Sequence, residues 1–185
     1  MSRLDDAELV QPATRAKLRA WLKKRHAESP GVWLVTYNKA SGKPQLPYED
    51  IVLELLCFGW VDSTTRKIDD ERSAIYVAPR KKGSTWAATN KARVKHLTAD
   101  GLMAPAGLAA IEQAKKDGSW TILDAVEALE VPADFAKTLR ANPTAAKRYE
   151  ALSKSAKKQV LWSVISAKRP ETRAARIQRF LEGAA

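Results

Sequence analysis

The sequence predicts an α+β fold followed by an all-α C-terminal module. In the first 130 residues, short runs rich in β-branched and aromatic residues alternate with apolar patterns of helical period, whereas residues 131–185 show the helical period only. The charge changes at the same point. Residues 131–185 hold 12 Lys and Arg against 4 Asp and Glu, while residues 1–130 hold 20 against 17. We therefore place a boundary near Glu130-Val131-Pro132.

The body, residues 1–130, is predicted to contain a small antiparallel sheet of about three strands with helices packed against it. Thr14 is the predicted N-cap of the first helix, and Ser29-Pro30-Gly31 ends that helix. A polar link over 64–71 joins the last two strands. The strands are expected at 32–37, 60–62 and 73–77, and the helices at 14–27, 48–58, 90–99 and 105–116.

The C-terminal module, residues 131–185, is predicted to be a basic bundle of short helices. Pro170 cannot continue a helix, but it suits the first turn of a new one, so it separates the last two helices. The helices of the module are expected at 134–141, 144–152, 155–168 and 170–182.

Motifs of the common enzyme classes are absent from the sequence. It contains no glycine-rich phosphate loop, no nucleophile elbow and no zinc-protease helix motif. With two histidines, His26 and His96, and one cysteine, Cys57, we predict no metal site, no cofactor and no disulfide, and we assign no catalytic residue. The single cysteine and an acidic N-terminal segment without an apolar run predict a cytoplasmic protein with no membrane span.

Two segments, 57–62 and 79–91, combine tryptophans with charged and polar side chains near predicted strand ends. Asp62 and Arg80 are expected to pair at one end of the sheet. The tryptophans beside them would form the apolar walls of a ligand pocket. The alternative interpretation is a strand-end ion pair beside tryptophans of the core. The candidate ligand-binding residues are Trp60, Asp62, Arg80, Ser84, Trp86 and Asn90.

The last two predicted helices place an aromatic ring among cations. Arginines of the final helix fall on one arc beside its apolar stripe, and a tryptophan of the preceding helix has cationic neighbours. This combination could bind nucleic acid or another polyanion, by contacts to phosphates and stacking on a base. The alternative is an ordinary solvated helix face with a core tryptophan. The candidate polyanion-binding residues are Lys158, Trp162, Arg169, Arg173, Arg176 and Arg179.

Several runs of the sequence resemble one bacterial family. These are Cys57-Phe58-Gly59-Trp60-Val61-Asp62, Pro79-Arg80-Lys81-Lys82-Gly83-Ser84 with Trp86 and Asn90-Lys91, Gly101-Leu102-Met103 with Pro105-Ala106-Gly107, and Ala167-Lys168-Arg169-Pro170-Glu171-Thr172-Arg173 with Arg176-Ile177. They resemble the YdeI/OmpD-associated family, also labelled bacteriocin-protection. Two positions depart from its pattern: Ser63 replaces a common Gly, and Ala87 replaces a common Ser. The resemblance implies a fold and a link to bacteriocin tolerance and porin association, but no reaction.

Three functions remain open from the sequence. The first is a cytoplasmic, non-catalytic binding or stress-tolerance protein of the resembled family, with a ligand or partner site on the body. The second is a nucleic-acid-associated protein that binds through the basic C-terminal helices. The third is an enzyme with a site around Asp62 and Arg80, in which Asp62 would act as the base.

Overall fold

The computed structural model describes residues 6–183, which fall into two compact units. The first unit comprises residues 6–84 and 89–119, and the second comprises residues 85–88 and 120–183. The boundary predicted near residue 130 falls inside the second unit, because Leu123, Val126 and Leu129 belong to that unit's apolar core. Residues 1–5 of the predicted body and residues 184–185 of the predicted module lie outside the described residues.

The first unit contains a four-stranded mixed sheet, which confirms the α+β class. Three of its strands pair antiparallel, as predicted, and a fourth strand pairs parallel with its neighbour. This fourth strand has two residues, too few to produce a periodic pattern in the sequence. The strands are β1 (Leu9–Val10), β2 (Val32–Tyr37), β3 (Trp60–Lys67) and β4 (Arg72–Pro79), in the order β1-β2-β4-β3.

The hairpin of β3 and β4 is longer than predicted. The predicted polar link begins at residue 64, but residues 65–67 pair with residues 73–75. Strand β3 lies at the edge of the sheet, where one side is open and polar side chains are tolerated. Arg66 also covers the ring of Trp33, with 4.1 Å between its guanidinium carbon and the ring centroid. Because residues 65–67 are polar, the sequence predicted a link where the structure has the end of a strand.

Four helices complete the first unit close to their predicted bounds. Thr14 is the N-cap of the first helix, as predicted, and its hydroxyl oxygen accepts a hydrogen bond from the backbone N–H of Lys17 at 3.2 Å. Gly118 follows the last of these helices in the left-handed conformation, with φ of 79°. The helices are α1 (Arg15–Arg25), α2 (Tyr48–Cys57), α3 (Ala88–Ala99), of which all but the first residue belong to this unit, and α4 (Pro105–Asp117).

Helix α4 approaches the end of α2 so closely that a glycine is required. A Cβ atom on Gly107 would lie 2.3 Å from the carbonyl oxygen of Cys57 and 2.8 Å from that of Leu56. The same Cys57 oxygen accepts a hydrogen bond from the backbone N–H of Ala104 at 3.0 Å. Two of the sequence runs that suggested a family, 57–62 and 105–107, thus meet here, and their small residues serve packing.

The second unit is helical, as predicted for the C-terminal module. In its core the rings of Phe135, Tyr149 and Phe180 meet edge to face, with centroids 5.4–6.0 Å apart. One helical turn, α5, precedes the predicted helices. The helices are α5 (Asp124–Glu127), α6 (Ala133–Ala141), α7 (Pro143–Ala151), α8 (Lys154–Ile165) and α9 (Pro170–Leu181). Within residues 6–183, none of the helices has both the length and the apolar character needed to cross a bilayer.

Candidate functional site

The tryptophans predicted as pocket walls are buried in the two units. Trp60 lies in the first unit with 1% of its surface exposed, and its indole N–H donates to the His26 carbonyl at 3.2 Å. Its ring meets the ring of Trp21 edge-on, with centroids 5.8 Å apart. Trp86 belongs to the second unit, is equally buried, and packs against Trp120 at 5.0 Å. Both rings are closed to a ligand, so we describe them as core residues.

Asp62 and Arg80 lie at the same end of the sheet, because Asp62 pairs with β4 and Arg80 directly follows β4. Burial lowers the pKa of Arg80 to about 10, and the negative charge of Asp62 opposes that shift. Asp62 Oδ2 accepts a hydrogen bond from the hydroxyl of Tyr48 at 2.8 Å. Partial desolvation of its hydroxyl, and then this hydrogen bond to Asp62, raise the pKa of Tyr48. Sequence reasoning missed Tyr48, which begins α2 and reaches Asp62 only in the fold.

The remaining polar candidates of the first unit contribute to local structure. Asn90 Oδ1 accepts a hydrogen bond from Arg93 Nη1 at 3.1 Å. Arg93 also forms a two-point ion pair with Glu49, with N–O distances of 2.7 and 2.6 Å. The backbone N–H of Ser84 closes a turn on the Lys81 carbonyl at 3.0 Å. Over residues 6–183, no group of three or more His, Cys, Asp and Glu side chains is placed to hold a metal ion.

The second unit carries a groove between α7, α8 and α9. Its volume is about 590 Å³, within the range of ligand-binding clefts. Its lining includes three arginines and no acidic side chain. Three of the predicted polyanion-binding residues line it, namely Trp162, Arg176 and Arg179. The lining residues are Arg148, Leu152, Ala156, Gln159, Val160, Trp162, Ser163, Val164, Ser166, Arg176, Arg179, Phe180 and Gly183.

Two arginines of the predicted row bind the C-terminal end of α8. Arg173 Nη1 donates to the Val164 carbonyl at 3.0 Å, and Arg176 Nη1 donates to the Ser163 carbonyl at 2.6 Å. The last carbonyls of a helix lack partners within the helix, and cations there also oppose the negative end of its dipole. Arg173 and Arg176 therefore hold α8 and α9 together. The positions of the arginines around the predicted final helix could not show this, because they contain no information on the neighbouring helix.

Most cations of the second unit pair with none of the residues that the structure describes. Of the 12 Lys and Arg side chains in residues 131–185, four bind groups of this unit, namely Arg148, Lys157, Arg173 and Arg176. The other eight are exposed, and their side chains form no ion pair or hydrogen bond with the residues that the structure describes. They are Lys137, Arg140, Lys147, Lys154, Lys158, Lys168, Arg169 and Arg179.

The ion pair of Asp134 with Arg173 should make the second unit sensitive to acid. The hydrogen bonds from Arg173, at 2.6 and 2.8 Å, lower the pKa of Asp134 from 3.8 to about 2. A lowered pKa stabilises the fold above the unfolded value, and this stabilisation is lost as the pH falls through about 4 to about 2. The Asp134 side chain is 48% exposed, so we expect the pair to contribute only about 1 kcal/mol.

The measurement is urea denaturation of the wild type and of Asp134→Asn at several pH values. The difference in their free energy of unfolding should be largest at about pH 5 and decrease as the pH falls through about 4 to about 2. The matched control is Glu171→Gln, which removes an exposed carboxylate that pairs with none of the described residues. A difference for Asp134→Asn that stays constant from pH 5 to pH 2 would contradict the assignment.

Comparison with protein families gives two matches that follow the two parts of the chain. Residues 10–110 match the family described as "Domain of unknown function (DUF8412)", and this match covers more than half of the chain. The chain belongs to that family. Residues 128–185 match the family described as "Bacteriocin-protection, YdeI or OmpD-Associated", which confirms the resemblance for the C-terminal part.

The sequence runs that resemble one bacterial family are divided between the two family matches. The runs at 57–62, 79–91 and 101–107 lie within the DUF8412 match, and the run at 167–177 lies within the OmpD-associated match. The groove and the eight unpaired cations therefore belong to the OmpD-associated part of the chain. No curated protein and no solved structure matches the chain.

Proposed function

We propose that the protein acts by binding rather than by catalysis, and that its second unit binds an acidic surface of a protein partner. The observation that carries the proposal is the set of eight exposed cations of this unit that no described residue pairs. An excess of charge of one sign steers an oppositely charged partner towards a surface and selects against partners of like charge. The absence of an acidic residue from the groove lining extends this positive surface into a concave site.

The distribution of the cations favours a protein over a nucleic acid. A nucleic-acid strand requires a row of cations along its phosphates, with open aromatic rings for stacking. The predicted row on α9 is interrupted, since Arg173 and Arg176 are held within the unit. Arg169 and Arg179 are then about 15 Å apart along the helix. Trp162 is half-buried against the core and lines a groove, instead of standing on an exposed helix face beside a row of cations.

The description of the matched family agrees with a role in protein association. That description names bacteriocin protection and association with OmpD. Under the proposal, this chain contributes to stress tolerance through a protein contact made by its second unit. We also propose that it acts in the cytoplasm. The single cysteine, buried as a thiol, suits a reducing compartment.

The test is a fluorescence-anisotropy titration of the full chain with three labelled probes of equal negative charge. The probes are a Glu-rich peptide, a single-stranded DNA and a single-stranded RNA. At about 0.15 M salt, where weak long-range attraction is screened, we expect the peptide to bind and the nucleic acids not to bind. The affinity for the peptide should fall further as salt is added.

A charge-reversal variant identifies the surface. Lys158→Glu with Arg169→Glu and Arg179→Glu should weaken binding of the Glu-rich peptide about tenfold or more. The control, Lys24→Glu with Lys81→Glu and Lys82→Glu, changes the net charge equally on exposed lysines of the first unit and should bind like the wild type. Tighter binding of either nucleic acid than of the peptide, or equal losses in the two triple variants, would refute the proposal.

A further inference from the structure

The groove of the second unit has the shape and lining of a site for a helix. From these features we infer that it receives an amphipathic α-helix of the partner, with an apolar stripe flanked by acidic residues. This inference rests on the proposed function and specifies how the acidic partner is held. The experiment that tests it distinguishes a failure of the helix site from a failure of the proposed function.

The spacing of the groove-lining residues matches a helical occupant. On α8 the lining residues Ala156, Val160 and Ser163 follow helical spacing, and on α9 Arg176, Arg179 and Phe180 do the same. Two such rows, side by side, form the groove into which the side-chain ridge of a third helix packs. The lining extends from Ala156 on α8 to Ser166, the C-cap of α8, over about 15 Å or three helical turns. That length accommodates apolar anchors at positions i, i+4 and i+7 of a bound helix.

The arginines that line the groove favour an occupant with acidic residues beside its apolar stripe. Arg179 is exposed and has no partner among the described residues, so its whole guanidinium group is free to bind a carboxylate. Arg176 uses Nη1 for Ser163 and for the Ser166 hydroxyl oxygen at 3.0 Å, which leaves its other N–H groups available. Arg148 is held by the carbonyl of Phe180 and lies over its ring at 4.9 Å.

Because Arg148 and Arg176 are fixed by the protein itself, little conformational freedom is lost when a carboxylate binds them. The groove thus presents an apolar floor between pre-positioned cations. An occupant without acidic flanks would leave these cations unpaired, and one without an apolar stripe would leave Val160 and Phe180 in contact with water. Only an amphipathic, acidic segment satisfies both surfaces.

The test uses two labelled peptides of about 18 residues, long enough for three to five turns of helix. The first peptide carries Leu at helical spacing with Glu on both flanks of the stripe. The second has the same composition in scrambled order, so its charge is equal but its stripe is absent. In anisotropy titrations of the full chain, we expect the first peptide to bind about tenfold more tightly than the second. Far-UV circular dichroism of the mixture should show a gain in helix.

A pair of matched variants locates the binding site. Ala156→Phe fills the groove from α8 without removing a core side chain and should abolish the advantage of the first peptide. Ala174→Phe makes the same change at an exposed position of α9 that is absent from the groove lining, and it should bind like the wild type. Thermal unfolding of both variants verifies that each is folded.

The possible outcomes distinguish the two proposals. If neither peptide binds, both the proposed function and the helix site are overturned. If the two peptides bind equally, Ala156→Phe has no effect, and the triple charge reversal still weakens binding, only the helix site is overturned. A dimer of the chain alone that Ala156→Phe dissociates would assign the groove to a second copy and would also overturn the helix site.

Discussion

Replacing Trp60 with alanine is expected to lower the free energy of unfolding of the first unit by about 3–5 kcal/mol. The indole is 1% exposed, packs edge-on against Trp21, and donates a hydrogen bond to the carbonyl of His26. Truncation removes its buried apolar surface, leaves a cavity, and leaves the carbonyl of His26 without this donor. The measurement is urea denaturation followed by circular dichroism.

An aromatic residue of the same unit provides the control for Trp60. Tyr48 is 57% exposed, and its ring contributes little to the core. We expect Tyr48→Ala to cost about 1 kcal/mol or less, including its hydrogen bond to Asp62. If Trp60→Ala cost no more than Tyr48→Ala, the indole would not be a core residue, and the pocket predicted from the sequence would have to be reconsidered.

The second large effect is expected for Glu54→Ala, with a loss of about 3–5 kcal/mol in the free energy of unfolding. Glu54 is 1% exposed and accepts hydrogen bonds from Arg15 Nε at 2.7 Å and Arg19 Nη1 at 2.8 Å. Arg19 also donates to the carbonyl of Leu102 at 2.6 Å and so ties α1 to the loop before α4. Removing the carboxylate leaves the half-buried Arg19 without a counter-charge and leaves Arg15 with Asp50 alone, at 3.5 Å.

Glu49 on the same helix provides a matched control. It forms a two-point ion pair with Arg93, as Glu54 does with its arginines, but its side chain is 54% exposed. Solvent screens such a pair, so Glu49→Ala should cost about 0–1 kcal/mol by the same urea measurement. Glu54→Gln keeps the shape of the side chain and separates the loss of charge from the loss of volume. Equal losses for Glu54→Ala and Glu49→Ala would contradict the assigned importance of burial.

Part of the fold could be predicted because it depends on local signals. The strand at 32–37 and the N-cap Thr14 are encoded by residues within one element, and both match the prediction. The last residues of β3 were missed because 65–67 are polar, and an edge strand tolerates polar side chains that give no apolar pattern in the sequence. In the sequence, Glu54 interrupts an apolar run. In the structure it is a buried carboxylate, because α1 lies close enough for Arg15 and Arg19 to pair with it.

The candidate sites show the same limit. Sequence reasoning identified Trp162, Arg176 and Arg179, which line the groove, and it also identified Asp62 and Arg80 as neighbours. It did not identify the other side of the groove, because that side comes from α7. It also treated the arginines of α9 as equivalent, although two of them bind the end of α8. A helical wheel shows the direction in which a side chain leaves its helix, but it does not show the groups of the neighbouring helix to which that side chain binds.

The sequence by itself determined the class of the fold, the position of the charge and the family, since each depends on composition or on short-range order. The tertiary structure decided which residues are free to act. It placed Trp60 and Trp86 in the cores and engaged Arg173 and Arg176 within the second unit, while Arg179 stayed exposed beside a groove. The physical reason is that burial and hydrogen-bond partners arise between elements distant in sequence, and they determine whether a cation serves the fold or a partner.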